Sequence, residues 1–250
     1  MPGRILPRIG FDRFLALEWM NYALDLAMTE PSPQKLRDWL SPQISGVESL
    51  RKTINTLSNL WLIPYPETRL VRQRGIELAE KATNEERLVL HWGMALANFP
   101  LFRTTTQAMG RLLRLHGDFQ GQEISARVLE YYGGSNTVVR CVERILQSIT
   151  AWNVIHKESD RYRQATTSIA RKPEIVEWLF ETVLCREGEN PKAIIDLLRT
   201  NELFPFHLTT DAGAILHGSP KFLIFREGLD REMVKSIKQD MEVMPNHEPL

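Results

Sequence analysis

Two arginines one helical turn apart, Arg140 and Arg144, are the residues of this chain best placed to do chemistry. Thr137 and Gln147 fall on the same side at helical spacing. The segment from about Asn136 to Trp152 therefore presents two guanidinium groups, an amide and a hydroxyl together. A guanidinium donates paired hydrogen bonds to phosphate or to the edge of guanine, and glutamine pairs in the same way with adenine. Ser148 belongs to this expected exposed face, while Val139, Val142, Leu146 and Ile149 are expected to pack the helix down. Lys157, Arg161 and Arg163 follow in a charged segment leading to the β-prone Thr166-Thr167-Ser168-Ile169, where phosphate or minor-groove contact is usual. These residue types suit noncovalent recognition of duplex DNA. The competing reading is a helix with solvated arginines on a protein-docking scaffold.

The elements that must hold this face are legible on either side of it. A short helix (Glu123 to Tyr131), a Gly133-Gly134 break, a helix capped by Ser135 or Asn136, and a basic ribbon give the order of a winged helix-turn-helix. A similar order occurs upstream. Residues 35–63 and 123–155 each read as short helix, glycine-containing turn, longer helix, then a Trp and an apolar pair. Aligned at their ends, Leu50, Ile54, Leu57, Leu62 and Ile63 meet Val142, Leu146, Ile149, Val154 and Ile155. The upstream polar face is Ser49, Arg51, Lys52, Asn55, Thr56 and Asn59. It is less basic and richer in amides, with Arg51, Lys52 and Asn55 its candidate DNA contacts. Glu67 to Ala79 reads as a wing or a connector.

Catalysis finds little to work with. The six histidines show no HExxH and no ligand spacing with cysteine, and two isolated cysteines are too few to make a zinc site by themselves. Neither a Walker A loop nor GxGxxG occurs. His207 and Asp211 lie four apart without a third partner, and the pairs Glu187/Glu189 and Glu227/Asp230 read as solvated loop acids. The chain is thus expected to be non-enzymatic, with no metal and no cofactor.

Composition is that of a globular protein, 43% hydrophobic and 25% charged. Charges interrupt every apolar run, so no membrane span is expected, and the basic N-terminus lacks the apolar core of a signal peptide. Unpaired cysteines suit a reduced, cytoplasmic setting. Net charge is zero but uneven. Residues 103–172 hold 11 Lys and Arg against 6 Asp and Glu, and residues 173–250 hold 8 against 14. A basic middle beside an acidic tail fits a nucleic-acid surface next to a partner-facing region.

The remaining chain reads mainly as helix. Residues 1–10 suggest an irregular lead or edge strand, and Phe11 to Met28 an amphipathic helix. Ser32 with Pro33 starts another. Asn84 to His116 gives two helices broken at Pro100, the first with Glu85-Glu86 in its first turn and the second from Arg103 to Leu115, stopped by Gly117. Glu174 to Cys185 gives one more, and Lys192 to Arg199 a short one. Lys221 to Phe225 is the best strand candidate, and Asp230 would cap a closing helix to Met241.

The runs LVLHWGMALANFPLFR and QAMGRLLRLHG, with a helix-turn-helix ending SITAWNVI, resemble the BrxA-like small DNA-binding proteins of BREX phage-defence systems. The resemblance spans about residues 85–155 and implies DNA binding and a role in phage defence. The expected fold is mainly α: tandem winged helix-turn-helix units joined by a helical scaffold, with a small α+β C-terminal cap. Its boundaries are 1–82, 83–172 and 173–250. The expected function is non-catalytic double-stranded DNA binding within a larger complex of protein subunits, with homo-oligomers among the assemblies considered. The alternatives are a protein-binding adaptor and a dimeric transcriptional regulator.

Overall fold

The computed structural model describes residues 10–63, 65–165, 168–170, 172–185, 190–208, 211–228 and 230–237. These form eleven α-helices and eight short strands. The expected lead strand at residues 1–9, Thr166 and Thr167 of the expected ribbon, and the acidic pair Glu187/Glu189 lie outside them.

The N-terminal region holds α1 (Leu17–Thr29), α2 (Pro33–Leu40), α3 (Val47–Leu57), a π turn (Ser58–Leu62) and α4 (Arg69–Ala79). Ser32 caps α2 as its sequence suggests, accepting the Lys35 N–H at 3.2 Å. One expectation fails here, and of the two readings of residues 67–79 a helical connector is what forms. Helix α1 begins at Leu17, not Phe11. Residues 11–16 are instead drawn straight into tertiary contacts, with Phe11 buried against Phe99, Phe102 and Trp152. The candidate wing at 67–79 is mostly α4, because Val71, Gly75 and Ala79 recur every four residues as a buried stripe. Gly75 leaves room for the Trp178 indole, whose N–H donates to Val71 O at 2.8 Å. Among the described residues no strand precedes Asp118, so the upstream helix pair has no wing.

The middle region follows its sequence more closely. Thr83 and Glu86 close a capping box on α5 (Asn84–Asn98), and α6 (Pro100–His116) follows at once. Then come β1 (Asp118–Gln120), α7 (Gly121–Tyr132), α8 (Asn136–Ala151), β2 (Ile155–Glu158) and β3 (Arg161–Gln164). Gly133, with φ 77°, makes the turn between α7 and α8, and Ser135 accepts the Thr137 N–H at 3.2 Å. The three strands form an antiparallel sheet ordered β1-β3-β2. The hairpin therefore forms earlier than the ribbon expected from sequence, using Ile155–Glu158 as its first strand.

The C-terminal region contains β4 (Ser168–Ala170), α9 (Pro173–Leu184), β5 (Lys192–Ala193), α10 (Ile194–Leu198), β6 (Phe206–Leu208), α11 (Ala212–Gly218), β7 (Phe222–Glu227) and β8 (Arg231–Ser236). Strands β4 and β6 pair in parallel, while β5-β8-β7 is antiparallel. The expected closing helix after Asp230 is the strand β8. Six residues of β8 register against β7, burying Met233 and Val234, and this pairing overrides the helical spacing of the local apolar residues. The core is continuous from Phe11 to Val234. It is reinforced by the ion pair of Arg74 with the buried Glu181, which links α4 to α9.

Candidate nucleic-acid interface

Helix α8 is strongly two-sided. Val138, Cys141, Val142, Ile145, Leu146 and Ile149 face the core, and Thr137, Arg140, Arg144 and Gln147 face solvent as expected. Two assignments change. Ser148 is buried: its hydroxyl accepts the Leu15 N–H at 2.9 Å and donates to Arg144 O at 2.8 Å. Val139 is only half-buried, and Val138 takes the packing position instead. Arg140 makes no hydrogen bond or ion pair with the described residues. Arg144 donates to Gln147 Oε1 at 2.8 Å, a contact that orients both side chains without neutralising the guanidinium. Glu143 is also exposed, an acidic group beside the two arginines.

The hairpin divides its cations between two faces. Directly paired residues share a face, so the register puts Phe119, Tyr162 and Lys157 on one side. The Phe119 and Tyr162 rings stack at 5.4 Å, and Lys157 Nζ lies 5.5 Å from the centre of the Tyr162 ring. On the other side Arg161 binds Asp118 at 2.7 Å, and Arg163 lies 2.9 Å from Glu158 and 3.6 Å from Asp118. The Arg161 hydrogen bond holds the Asp118 carboxyl below its ordinary range and raises the Arg161 guanidinium in turn. Both arginines are thus already paired within the sheet. Lys157 remains the hairpin cation without an acidic partner.

A trough of about 680 Å³ runs between α7, α8 and the hairpin, with Leu129, Val139, Leu146 and Tyr162 among its walls. Lys157, Gln147 and Glu143 line it as well.

The upstream candidates are arranged differently. Arg51 makes two hydrogen bonds to Glu48, at 2.8 and 2.9 Å, which bring the Glu48 carboxyl down to about 2. Lys52 is 3.6 Å from both Asp12 and Glu48. Thr56, expected to be exposed, is buried and donates to Lys52 O at 3.0 Å. Asn55 is exposed. Of the three upstream candidates, only Asn55 keeps an uncommitted polar group.

Two of the groups weighed for chemistry, His91 and Cys141, are buried. His91 is buried; its Nδ1 accepts the Trp61 indole N–H at 2.9 Å, so Nε2 carries the proton toward Asn21 Oδ1 at 3.0 Å. Burial, with the Arg87 charge, brings His91 down to about 3. Burial pushes the Cys141 thiol up to about 11. Among the described residues no three His, Cys, Asp or Glu side chains are grouped to hold a metal, and no helix is long and apolar enough to cross a membrane.

One cationic site was not apparent in the sequence. Arg111 and Arg114 of α6, Arg127 of α7 and Arg199 after α10 line a cleft of about 480 Å³. These four residues come from three separate stretches of chain, so no local motif marks them. Comparison with known proteins gives no family model, curated protein or solved structure that matches this chain.

Proposed function

We propose that the chain is a non-catalytic double-stranded DNA-binding protein in which residues 100–164 act as a winged helix-turn-helix. In this reading α6, β1, α7, α8 and the β2–β3 hairpin take the places of first helix, first strand, turn helices and wing, and α8 enters the major groove. The observation that carries the proposal is the outward face of α8, where Arg140 is unpaired and Arg144 stands one turn on. An uncompensated guanidinium on a rigid helix is preorganised for phosphate or guanine. Lys157 adds a phosphate contact from the hairpin. Arg161 and Arg163 serve first to fasten the sheet, which narrows the expected contact set to α8 and Lys157. Membership of a larger complex, in phage defence as the BrxA-like resemblance implies, is proposed with it.

Measuring duplex affinity across a salt series tests this. Each neutralised phosphate adds about −0.9 to the slope of log K against log salt. Arg140→Glu with Arg144→Glu should abolish binding while the far-ultraviolet spectrum and melting profile stay unchanged. Undiminished affinity in that folded double variant would sink the assignment.

A second reading, a protein-docking adaptor, is favoured by the partly apolar trough between α7, α8 and the hairpin and by Glu143 beside the arginines. It predicts no salt-dependent duplex binding at all. Leu129→Lys would then remove a protein partner without any effect on DNA.

A further inference from the structure

The cleft between α6, α7 and the connection after α10 lies on a different side of α7 from the trough. Arg127, Glu130 and Tyr131 line the cleft, whereas Ser125, Ala126 and Leu129 line the trough. None of Arg111, Arg114, Arg127 and Arg199 makes a hydrogen bond or ion pair with the described residues. A fifth cation, Lys192, has its ammonium 3.5 Å from the Thr200 hydroxyl.

Helix-end electrostatics accounts for part of this. Arg111 and Arg114 stand in the last two turns of α6, where cations complement the carbonyl end. That account does not extend to Arg127, in the middle of α7, nor to Arg199, which arrives from a distant part of the chain. Bringing four like charges to one concavity is unfavourable unless an anion joins them.

The walls are held rigidly. Gly110 lets the Asn201 carbonyl come so close that an added Cβ would stand 2.0 Å from its oxygen. Trp92 donates its indole N–H to Glu202 O at 2.8 Å, and Arg103 and Gln107 each reach Glu202 Oε1 at 3.3 Å. Burial pushes the Glu202 carboxyl up, but the Arg103 charge and a Thr200 hydrogen bond outweigh it and hold it below the ordinary range. Its negative charge is matched first by Arg103 and then, within the cleft, by Lys192, which leaves the four arginines without it. Of the other acids, Asp196 lies 3.7 Å from Arg231, and Glu130 is exposed.

We propose that this cleft is a nucleotide-binding site in which Arg111, Arg114, Arg127 and Arg199 receive phosphate groups and Tyr131 stacks on the base. Guanidinium forks match phosphate oxygens in pairs. The volume is in the range of small-ligand sites, about 300 to 1,000 Å³. Tyr131 is 61% exposed and lines the cleft, an aromatic face beside the cations, as in sites that bind nucleotides by stacking and charge together. The same chemistry recognises a free nucleoside triphosphate or a nucleotide unit of a single strand. The site is independent of the α8 face and does not rest on the duplex reading.

The test measures binding of ATP and of an oligothymidine strand to the full chain, by calorimetry and by fluorescence anisotropy. At least one of the two should bind, and which one does identifies the source of the nucleotide. Arg111→Gln with Arg127→Gln should weaken that binding by about tenfold or more, equivalent to about 1.4 kcal/mol. Tyr131→Ala should weaken it several-fold. Arg140→Glu with Arg144→Glu should leave ATP binding unchanged, so failure here and failure of the duplex reading are told apart. Absence of binding by both probes, or equal binding by the wild type and the folded arginine variant, overturns the proposal. An unchanged affinity in Tyr131→Ala overturns the nucleotide assignment.

Discussion

The helix pairs α2–α3 and α7–α8 hold the same strip of chain in different ways. Thr56 of α3 donates to Gly10 O at 3.4 Å and Lys52 pairs with Asp12, whereas α8 binds Leu15 through Ser148 and is followed by Trp152, which donates to Leu15 O at 2.9 Å. Their apolar patterns align, yet the two regions part after the Trp. Trp61 sits in a π turn that leads on to α4, and Arg72 donates to Trp61 O, fastening that turn. Trp152 ends α8 and leads into a hairpin. Ile63, aligned with the fully buried Ile155, is 54% exposed. A shared apolar period thus specifies how a helix packs, not what its outer face is free to bind. The outer faces differ where binding would occur: the α3 cations are already paired with acids, and Arg140 of α8 is not.

The largest expected effect tests that difference directly. Arg140→Gln with Arg144→Gln should weaken duplex binding by about a hundredfold, since each bidentate contact is worth about 1 to 3 kcal/mol. Arg51→Gln with Lys52→Gln should change it less than about twofold. Equal losses from the two pairs in salt-controlled titrations would erase the distinction between the regions.

The two tryptophans also predict different responses to acid. Trp61 donates to a neutral imidazole, Trp152 to a backbone carbonyl that does not titrate. His91 has a folded pKa of about 3 against an ordinary 6.5. Between these values the unfolded chain binds a proton that the folded chain does not. The His91 contribution is therefore intact above pH 6.5 and is lost as pH falls toward 3, by about 1.4 kcal/mol per pH unit. Urea unfolding of wild type and His91→Gln at several pH values should give a steeper acid loss in the wild type. Parallel curves would show that this histidine is not the source.

The buried hydroxyls come next. Ser148→Ala leaves the Leu15 N–H without its acceptor, a loss of about 1 to 3 kcal/mol. Thr56→Val keeps the shape and removes one donor shared by the Gly10 and Lys52 carbonyls, a loss of about 1 kcal/mol. Denaturant midpoints compare the two. A greater loss at Thr56 would mean that α3, not α8, anchors the strip.

Legibility in the sequence follows the range of the forces involved. The start of α5, the end of α6 and the start of α8 were readable because the acidic Glu85-Glu86, Gly117 and Ser135 act within one turn of the chain, whereas α6 begins at Pro100 and not at the expected Arg103. The hairpin start at Ile155 and the strand β8 were not, since both depend on partners many residues away. Met233, Val234 and Ile237 have helical spacing, and pairing with β7 and β5 makes a strand of the segment. Within the candidate site, the outward positions of Thr137, Arg140, Arg144 and Gln147 followed from periodicity. Whether a cation was free to bind did not: Glu48 beside Arg51 was visible in the chain, but Asp118 beside Arg161 came from strand pairing. The arginine cleft depends on Gly110 admitting a turn from 91 residues later in the chain, at Asn201.

The smallest expected effect concerns the hairpin, which has no counterpart in the upstream pair. Asp118 holds Arg161 at 2.7 Å and lies 3.6 Å from Arg163, so a neutral isostere should release part of that restraint. Glu158 still lies 2.9 Å from Arg163, and Glu123 is 3.7 Å from Arg161, which limits the release. If the hairpin lies along the phosphates, Asp118→Asn should raise duplex affinity about twofold to threefold and steepen the salt slope by up to about 0.9 for each added contact. Thermal unfolding measured alongside separates this gain from any loss of fold. An unchanged slope in the folded variant would place the hairpin away from the DNA. Recognition would then rest on the α8 face alone, and the resemblance to a winged unit would be architectural.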